Sequence, residues 1–140
     1  MEKNQIYIKC GTEYTQMTKE LLEVSDLSGE IEKKFLAAGI KNSEAEENCH
    51  KMRIGIKPNL VAPMEAYWGG TTHPEVAAGI IEYLQEKDFR NLVIMEGSWV
   101  GDKTEEAYEV CGYRALCEKY QVPFRDMQKE KGVPVQCKDM

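Results

Sequence analysis

Residues 91–96 read Asn-Leu-Val-Ile-Met-Glu (NLVIME), a nearly continuous apolar run of strand length that stops at Gly97. A strand with one wet face alternates apolar and polar positions, whereas an unbroken run is the pattern of a strand covered on both faces. NLVIME therefore reads as an inner strand of a parallel sheet, and such a sheet needs helices on either side of it in sequence.

Both helical patterns are present. Upstream, Val76, Ala77, Ile80, Ile81 and Leu84 trace one face of a helix to about Lys87. Thr72 with Glu75 three residues on has the capping-box spacing, and Pro74 suits a first turn. Downstream, Ala107, Val110, Cys111, Leu116 and Tyr120 recur at helical spacing, with Gly112 as a break between two shorter helices. Further out, Met52, Ile54 and Ile56 alternate up to Pro58, and residues 122–127 (VPFRDM) and 133–137 (VPVQC) read as further strands. Near the start, residues 5–9 (QIYIK) place Ile6 and Ile8 on one side and Tyr7 on the other and read as a first strand. Tyr14 to Leu36 reads as two helices joined by a turn at Ser25, Asp26, Ser28 and Gly29, stopped by Gly39 and followed by a polar linker at 41–51.

Strands separated by helices form right-handed βαβ units. The expected fold is a single α/β domain over residues 1–140: an open, mainly parallel sheet of four to five strands with helices on both faces, a Rossmann-like three-layer sandwich. Composition agrees with one globular domain: 140 residues, 42% apolar, 30% charged, formal charge −6. Lys and Arg interleave with Asp and Glu, which excludes the basic stripe of a nucleic-acid binder. The opening residues MEKNQIYIKCG hold no apolar run of signal-peptide length, and no later run is long enough to span a bilayer, so the expectation is a cytoplasmic protein away from membranes. Five cysteines (Cys10, Cys49, Cys111, Cys117 and Cys137) have irregular spacing and no C-x-x-C pair, which suits reduced thiols and offers no metal set.

Ligands of such sheets bind beyond the carboxyl ends of the strands. Lys57 ends one strand there, and Pro58 stops the sheet directly after it, so its ammonium either contacts an anion or is a solvated strand-end lysine. Asn59 contacts a ligand or closes the turn. The run GGTTHPE (69–75) brings Thr71, Thr72 and His73 to a helix start, a ready anion site, although Thr72 as a plain N-cap also accounts for it. His73 is a candidate general base or a structural residue. GSWVGDKT (97–104) has the length of a phosphate-binding loop, but Gly101 arrives one position early and Asp102 stands where the second glycine belongs. Gly97 and Ser98 remain candidates for a smaller anion. Glu96 is a second ionisable group at this mouth, an acid/base or orienting partner of Lys57 or one half of a structural ion pair. Trp68 and Trp99 either wall a pocket or bury against the helices.

At KPNLVAP (57–63), TTHPE (71–75), EGSWVG (96–101) and EVCGYRALCEKY (109–120) the chain resembles the family called domain of unknown function 362, over most of residues 50–127. The resemblance implies an α/β fold and makes Lys57, Asn59, Thr71, Thr72, His73, Glu96 and Ser98 pattern positions, without supplying a reaction. It also implies a chain about twice this length, so the present one reads as a first half or short form whose site a homo-oligomer or partner chain completes. The ferredoxin-type cysteine spacing of some members is missing, so no iron-sulfur cluster is expected.

The sequence thus leads to a small anionic metabolite, carboxylate or phosphate, bound by Lys57, Asn59, Thr71, Thr72, His73, Gly97 and Ser98. Catalysis is unassigned, with Lys57, His73 and Glu96 as candidates. The alternative is a non-catalytic interaction module, with Tyr67 and Trp68 as anchors.

Overall fold

The structure, a computed structural model, describes residues 5–37 and 50–136. The Gly39 stop and most of the 41–51 linker lie outside those residues.

Three strands form one open parallel sheet: β1 (Ile54–Ile56), β2 (Leu92–Glu96) and β3 (Phe124–Asp126), in the order β1-β2-β3. The register pairs Ile54 with Leu92 and Ile56 with Ile94, then Ile94 with Phe124 and Glu96 with Asp126. NLVIME is the central strand, as its apolar run requires. Helix α1 (Tyr14–Val24) and helix α2 (Leu27–Ala37) precede the sheet; α3 (Pro74–Glu86) links β1 to β2, and α4 (Thr104–Val110) with α5 (Tyr113–Tyr120) links β2 to β3. Gly112, with φ 78°, takes the left-handed conformation that separates α4 from α5.

Four expectations are corrected. Among the described residues the sheet has three strands, not four or five. Residues 5–9 are irregular, with Ile6 84% and Ile8 82% exposed. Alternation shows that a segment can be a strand but not that a partner edge is within reach. Residues 133–136 are likewise irregular and exposed, while Cys137 lies outside the described residues. Nor, among the described residues, do the helices sandwich the sheet. One buried cluster joins Ile56, Leu92 and Ile94 to Ala77, Ile81 and Leu84 of α3 and to Tyr113, Leu116 and Cys117 of α5, with Ile54 and Phe124 packed against it; neither Val93 nor Met95 belongs to it. On the opposite face Val93 is buried and Met95 half-buried, whereas Gly55 and Arg125 are exposed. Right-handed crossovers that step twice in one direction across a sheet fall on one face, and this strand order contains no reversal that would send a helix to the other.

The third layer is α1, stacked on the outer side of α3. The two helices approach closely at Gly79, where an added Cβ would lie 2.6 Å from the Thr15 carbonyl oxygen and 2.7 Å from Thr18 Cβ. Thr15 donates its hydroxyl to the Glu75 carbonyl, and Lys19 reaches Glu82 and Glu86 across the same interface. Phe35 of α2 is buried, and the Tyr83 and Ser28 hydroxyls bond at 3.1 Å to fix α2 to α3. No described helix is long and apolar enough to cross a membrane.

Candidate functional site

At the carboxyl end of the sheet, Ile56, the last residue of β1, pairs with Ile94, and β2 runs two residues further to Glu96. Lys57 directly follows β1 and Glu96 closes β2, and the Lys57 Nζ lies 2.7 Å from Glu96 Oε2. The environments of the two differ sharply: the Glu96 side chain is 5% exposed and that of Lys57 66%. The other carboxylate oxygen, Oε1, accepts the Gly97 N–H at 2.7 Å. The carboxylate is therefore fixed from two sides, and it fixes the ammonium in turn; a second, longer contact runs from Lys57 Nζ to the Pro58 carbonyl at 3.4 Å. Asp126, the register partner of Glu96, adds a half-buried carboxylate one strand further along.

The loop after β1 is closed by reciprocal bonds. The Asn59 N–H donates to Thr72 Oγ1 at 2.9 Å, the Thr72 N–H donates to the Asn59 carbonyl at 2.8 Å, and Asn59 Nδ2 donates to the Gly70 carbonyl. Leu60 and Thr71 form an antiparallel bridge between these pairs, with Leu60 fully buried and the Thr71 hydroxyl directed to the Met64 carbonyl. The capping-box expectation is corrected here. The N-cap of α3 is His73, whose side chain makes no cap bond, and the Thr72 hydroxyl one residue earlier accepts the Asn59 N–H instead. Pro74 does occupy the first helical turn. The His73 ring packs against Tyr14, centroids 4.7 Å apart, and its Nδ1 lies 3.8 Å from a Glu75 carboxylate oxygen, so its recorded partners are on α1 and α3 rather than Lys57 and Glu96.

The loop after β2 folds on the same principle. Ser98 donates its hydroxyl to the Leu60 carbonyl at 2.8 Å, and the Trp99 N–H donates to the Val61 carbonyl at 2.9 Å. The Ser98 N–H donates to Thr104 Oγ1, and the Asp102 N–H to the Trp99 carbonyl. With the Gly97 amide on Glu96, the amides of residues 97, 98, 99 and 102 are all engaged within the protein. A phosphate-cradling loop needs such amides converging on its ligand. Four amides of this loop are thereby withdrawn from such a cradle.

Gln128, which carries no sequence motif, is the clamp of this loop. Its Nε2 donates to the Ser98 and Asp102 carbonyls at 3.1 and 3.0 Å, and its Oε1 accepts the Thr104 N–H at 3.3 Å. Only its place directly after the predicted strand at 122–127 could have signalled it. Behind the site, Tyr113 is fully buried and donates its hydroxyl to the Thr72 carbonyl at 3.2 Å; burial holds this phenol far above its ordinary pKa. The tryptophans resolve their alternatives toward the surface: Trp68 is 70% and Trp99 69% exposed, with Tyr67 beside Trp68, ring centroids 4.9 Å apart. No group of three or more His, Cys, Asp or Glu side chains among the described residues is arranged to hold a metal ion.

The model of the family described as Domain of unknown function (DUF362) matches residues 54–140, more than half of the chain. The chain belongs to this family. The DUF362 match begins at Ile54, the first residue of β1, and so takes in the whole sheet and both loops of the mouth. It extends past residue 127, where the sequence resemblance ends, to the last residue. No curated protein and no solved structure matches the chain.

Proposed function

We propose that this DUF362 chain binds a small anionic metabolite at the carboxyl-end mouth of its sheet, with the Lys57 ammonium as the anion contact. One observation carries the reading: a buried, doubly held carboxylate, Glu96, fixes an ammonium whose side chain is still two-thirds exposed. A lysine in water loses rotamer entropy when it meets a ligand; one already held at 2.7 Å loses less. In this reading Lys57 meets the anion. Asn59, Thr71, Thr72, Gly97 and Ser98 hold the two loops around it, His73 anchors the helix start, and Glu96 orients the lysine. The setting we assign is the cytoplasm, in keeping with Cys10, Cys111 and Cys117 as free thiols.

The test is titration with acetate and with inorganic phosphate, followed by amide chemical shifts, for the natural chain and for Lys57→Met, which keeps the apolar stem. Loss of a charge-assisted hydrogen bond worth about 1.5–3 kcal/mol weakens binding roughly ten- to a hundredfold. Equal affinity in both proteins overturns the reading.

The second reading, an interaction module or a site completed by another chain, is favoured by the exposed Tyr67, Trp68 and Trp99. A concentration-dependent dimer disrupted by Trp68→Ala, with no anion bound, would select it.

A further inference from the structure

We infer that the outer edge of β1 takes up an extended acidic peptide as a further strand of the sheet. The inference goes beyond the anion site and uses neither of its loops.

Among the described residues β1 is an end strand, paired with β2 on one side only. The Ile54 N–H donates to the Asn91 carbonyl at 2.9 Å, and the parallel register runs on to Ile56. In a parallel ladder alternate residues turn both backbone groups to the neighbour, here Ile54 and Ile56. The described peptide bonds are trans, so each carbonyl points opposite to the N–H that follows it. The Arg53 carbonyl, the Gly55 N–H and carbonyl, and the Lys57 N–H therefore point away from β2. None of these four groups bonds another group among the described residues, and Arg53, Gly55 and Lys57 are all exposed. The other edge is partly closed: Phe124 and Asp126 of β3 are half-buried, and the Asp126 carbonyl accepts the Lys129 N–H at 3.1 Å. An exposed row of acceptor, donor, acceptor and donor is what strand addition requires.

Charge selects the occupant. Arg53 has no ion pair among the described residues, while Lys57 shares Glu96. The two flank Gly55 symmetrically. A second copy docked edge to edge about Gly55 would set Arg53 against Lys57 when antiparallel and Arg53 against Arg53 when parallel, and like charges directly opposite one another are destabilising. Cationic edges of this kind hold copies apart. The strand-like residues 5–9 carry Lys9 as their only charge and offer Arg53 no counter-ion. A peptide with the spacing Glu-x-x-x-Glu sets one carboxylate beside Arg53 in either direction, and apolar residues at its second and fourth positions lie beside Ile54 and Ile56, which belong to or pack on the core.

The probes are the peptides Ac-Glu-Val-Thr-Val-Glu-NH2 and Ac-Lys-Val-Thr-Val-Lys-NH2, and the acidic peptide N-methylated at Thr and at the Val after it, so that one blocked amide faces the edge in any register. Each is titrated into the unmodified chain while hydrogen exchange of the Gly55 and Lys57 amides is followed by NMR. The acidic peptide should slow exchange at both amides, bind about tenfold or more tightly than the basic one and weaken with added salt, whereas the N-methylated peptide should not bind. Arg53→Gln, at an exposed position, should weaken the acidic peptide about two- to fivefold. Equal binding of the acidic and basic peptides overturns the acidic class. Binding without slowed exchange at Gly55 and Lys57, or no binding, overturns the edge as a docking site. Protection of the two amides that rises with protein concentration and without peptide overturns the proposal by assigning the edge to a second copy. Titration with acetate and phosphate reads the anion site separately, because the Lys57 ammonium and not these amides is its contact.

Discussion

Ser98 and Leu60 belong to different loops, and the Ser98 hydroxyl donates to the Leu60 carbonyl at 2.8 Å with both residues buried. The bond joins the loop after β1 to the loop after β2 directly beneath the mouth. Ser98→Ala leaves a carbonyl without its partner where water does not reach, which costs roughly 1–3 kcal/mol. A lowered urea midpoint with an unchanged slope is the expected result. An unchanged midpoint would mean that the two loops are not coupled through this bond.

Gly79→Ala should destabilise the protein even though alanine is the better helix former by about 1 kcal/mol. The new methyl would meet the Thr15 carbonyl at 2.6 Å, a backbone atom that cannot swing aside, so α1 must shift off α3. Overpacking of this kind costs about 1–3 kcal/mol, enough to reverse the propensity gain. Equilibrium unfolding decides the sign, and a more stable variant would show that α1 is not seated at this distance.

Removal of the Lys57 charge leaves the buried Glu96 carboxylate held by the Gly97 amide without its ammonium partner. Lys57→Met should therefore lose stability at neutral pH, and Lys57→Met combined with Glu96→Gln should recover part of it, because the neutral amide needs no counter-charge. A double-mutant cycle on urea midpoints reads this coupling; strict additivity would show that the ion pair contributes nothing measurable.

Alkaline stability should fall between about pH 10 and pH 12. Burial pushes the Tyr108 phenol up to about 12, and burial also raises Tyr113 and Tyr120. An unfolded tyrosine ionises near pH 10. Between those values the native state holds protons that the unfolded state has released, so stability is full below pH 10 and declines as pH rises through the folded pKa. Urea midpoints across this range should slope downward, and Tyr108→Phe should flatten the slope.

The thiols should separate by reactivity. Cys10 is exposed, Cys111 and Cys117 are buried, and burial raises the Cys117 pKa, so little thiolate forms there near neutral pH. Iodoacetamide with peptide mapping should modify Cys10 well before either of the others; early labelling of Cys117 would contradict the packing of α5.

The fold was legible wherever a segment's pattern and its neighbours agreed. NLVIME reads as a buried strand because no polar residue interrupts it, and Gly112 as a break because only a residue that tolerates φ 78° closes α4 against α5. Ile6 and Ile8 alternate as faithfully as Ile54 and Ile56, yet only the latter pair meets a strand, because pairing depends on distant residues that a local pattern does not encode. The one-sided packing was hidden for a similar reason: a continuous apolar run signals burial of both faces but not that helices bury both. At the site, Lys57 and Glu96 were recognisable by their place at strand ends, but their contact was not, because the register carries Lys57 one step past the Ile56–Ile94 pair, toward Met95, and only the long lysine side chain brings its ammonium to Glu96. The capping-box spacing fits Thr72, but the helix starts one residue later, at His73, and the Thr72 hydroxyl accepts an amide from the loop after β1, a long-range partner that local spacing does not encode.

The strand order also bears on how the chain folds. Because β1, β2 and β3 lie side by side in the order in which they are synthesised, each strand docks on the exposed edge of its predecessor, and none must be inserted between two already paired. The β1-α3-β2 unit, with Lys57 and Glu96 already at its end, can thus form while residues 97–126 are still emerging, and the last strand closes over a mouth whose two charged residues have met.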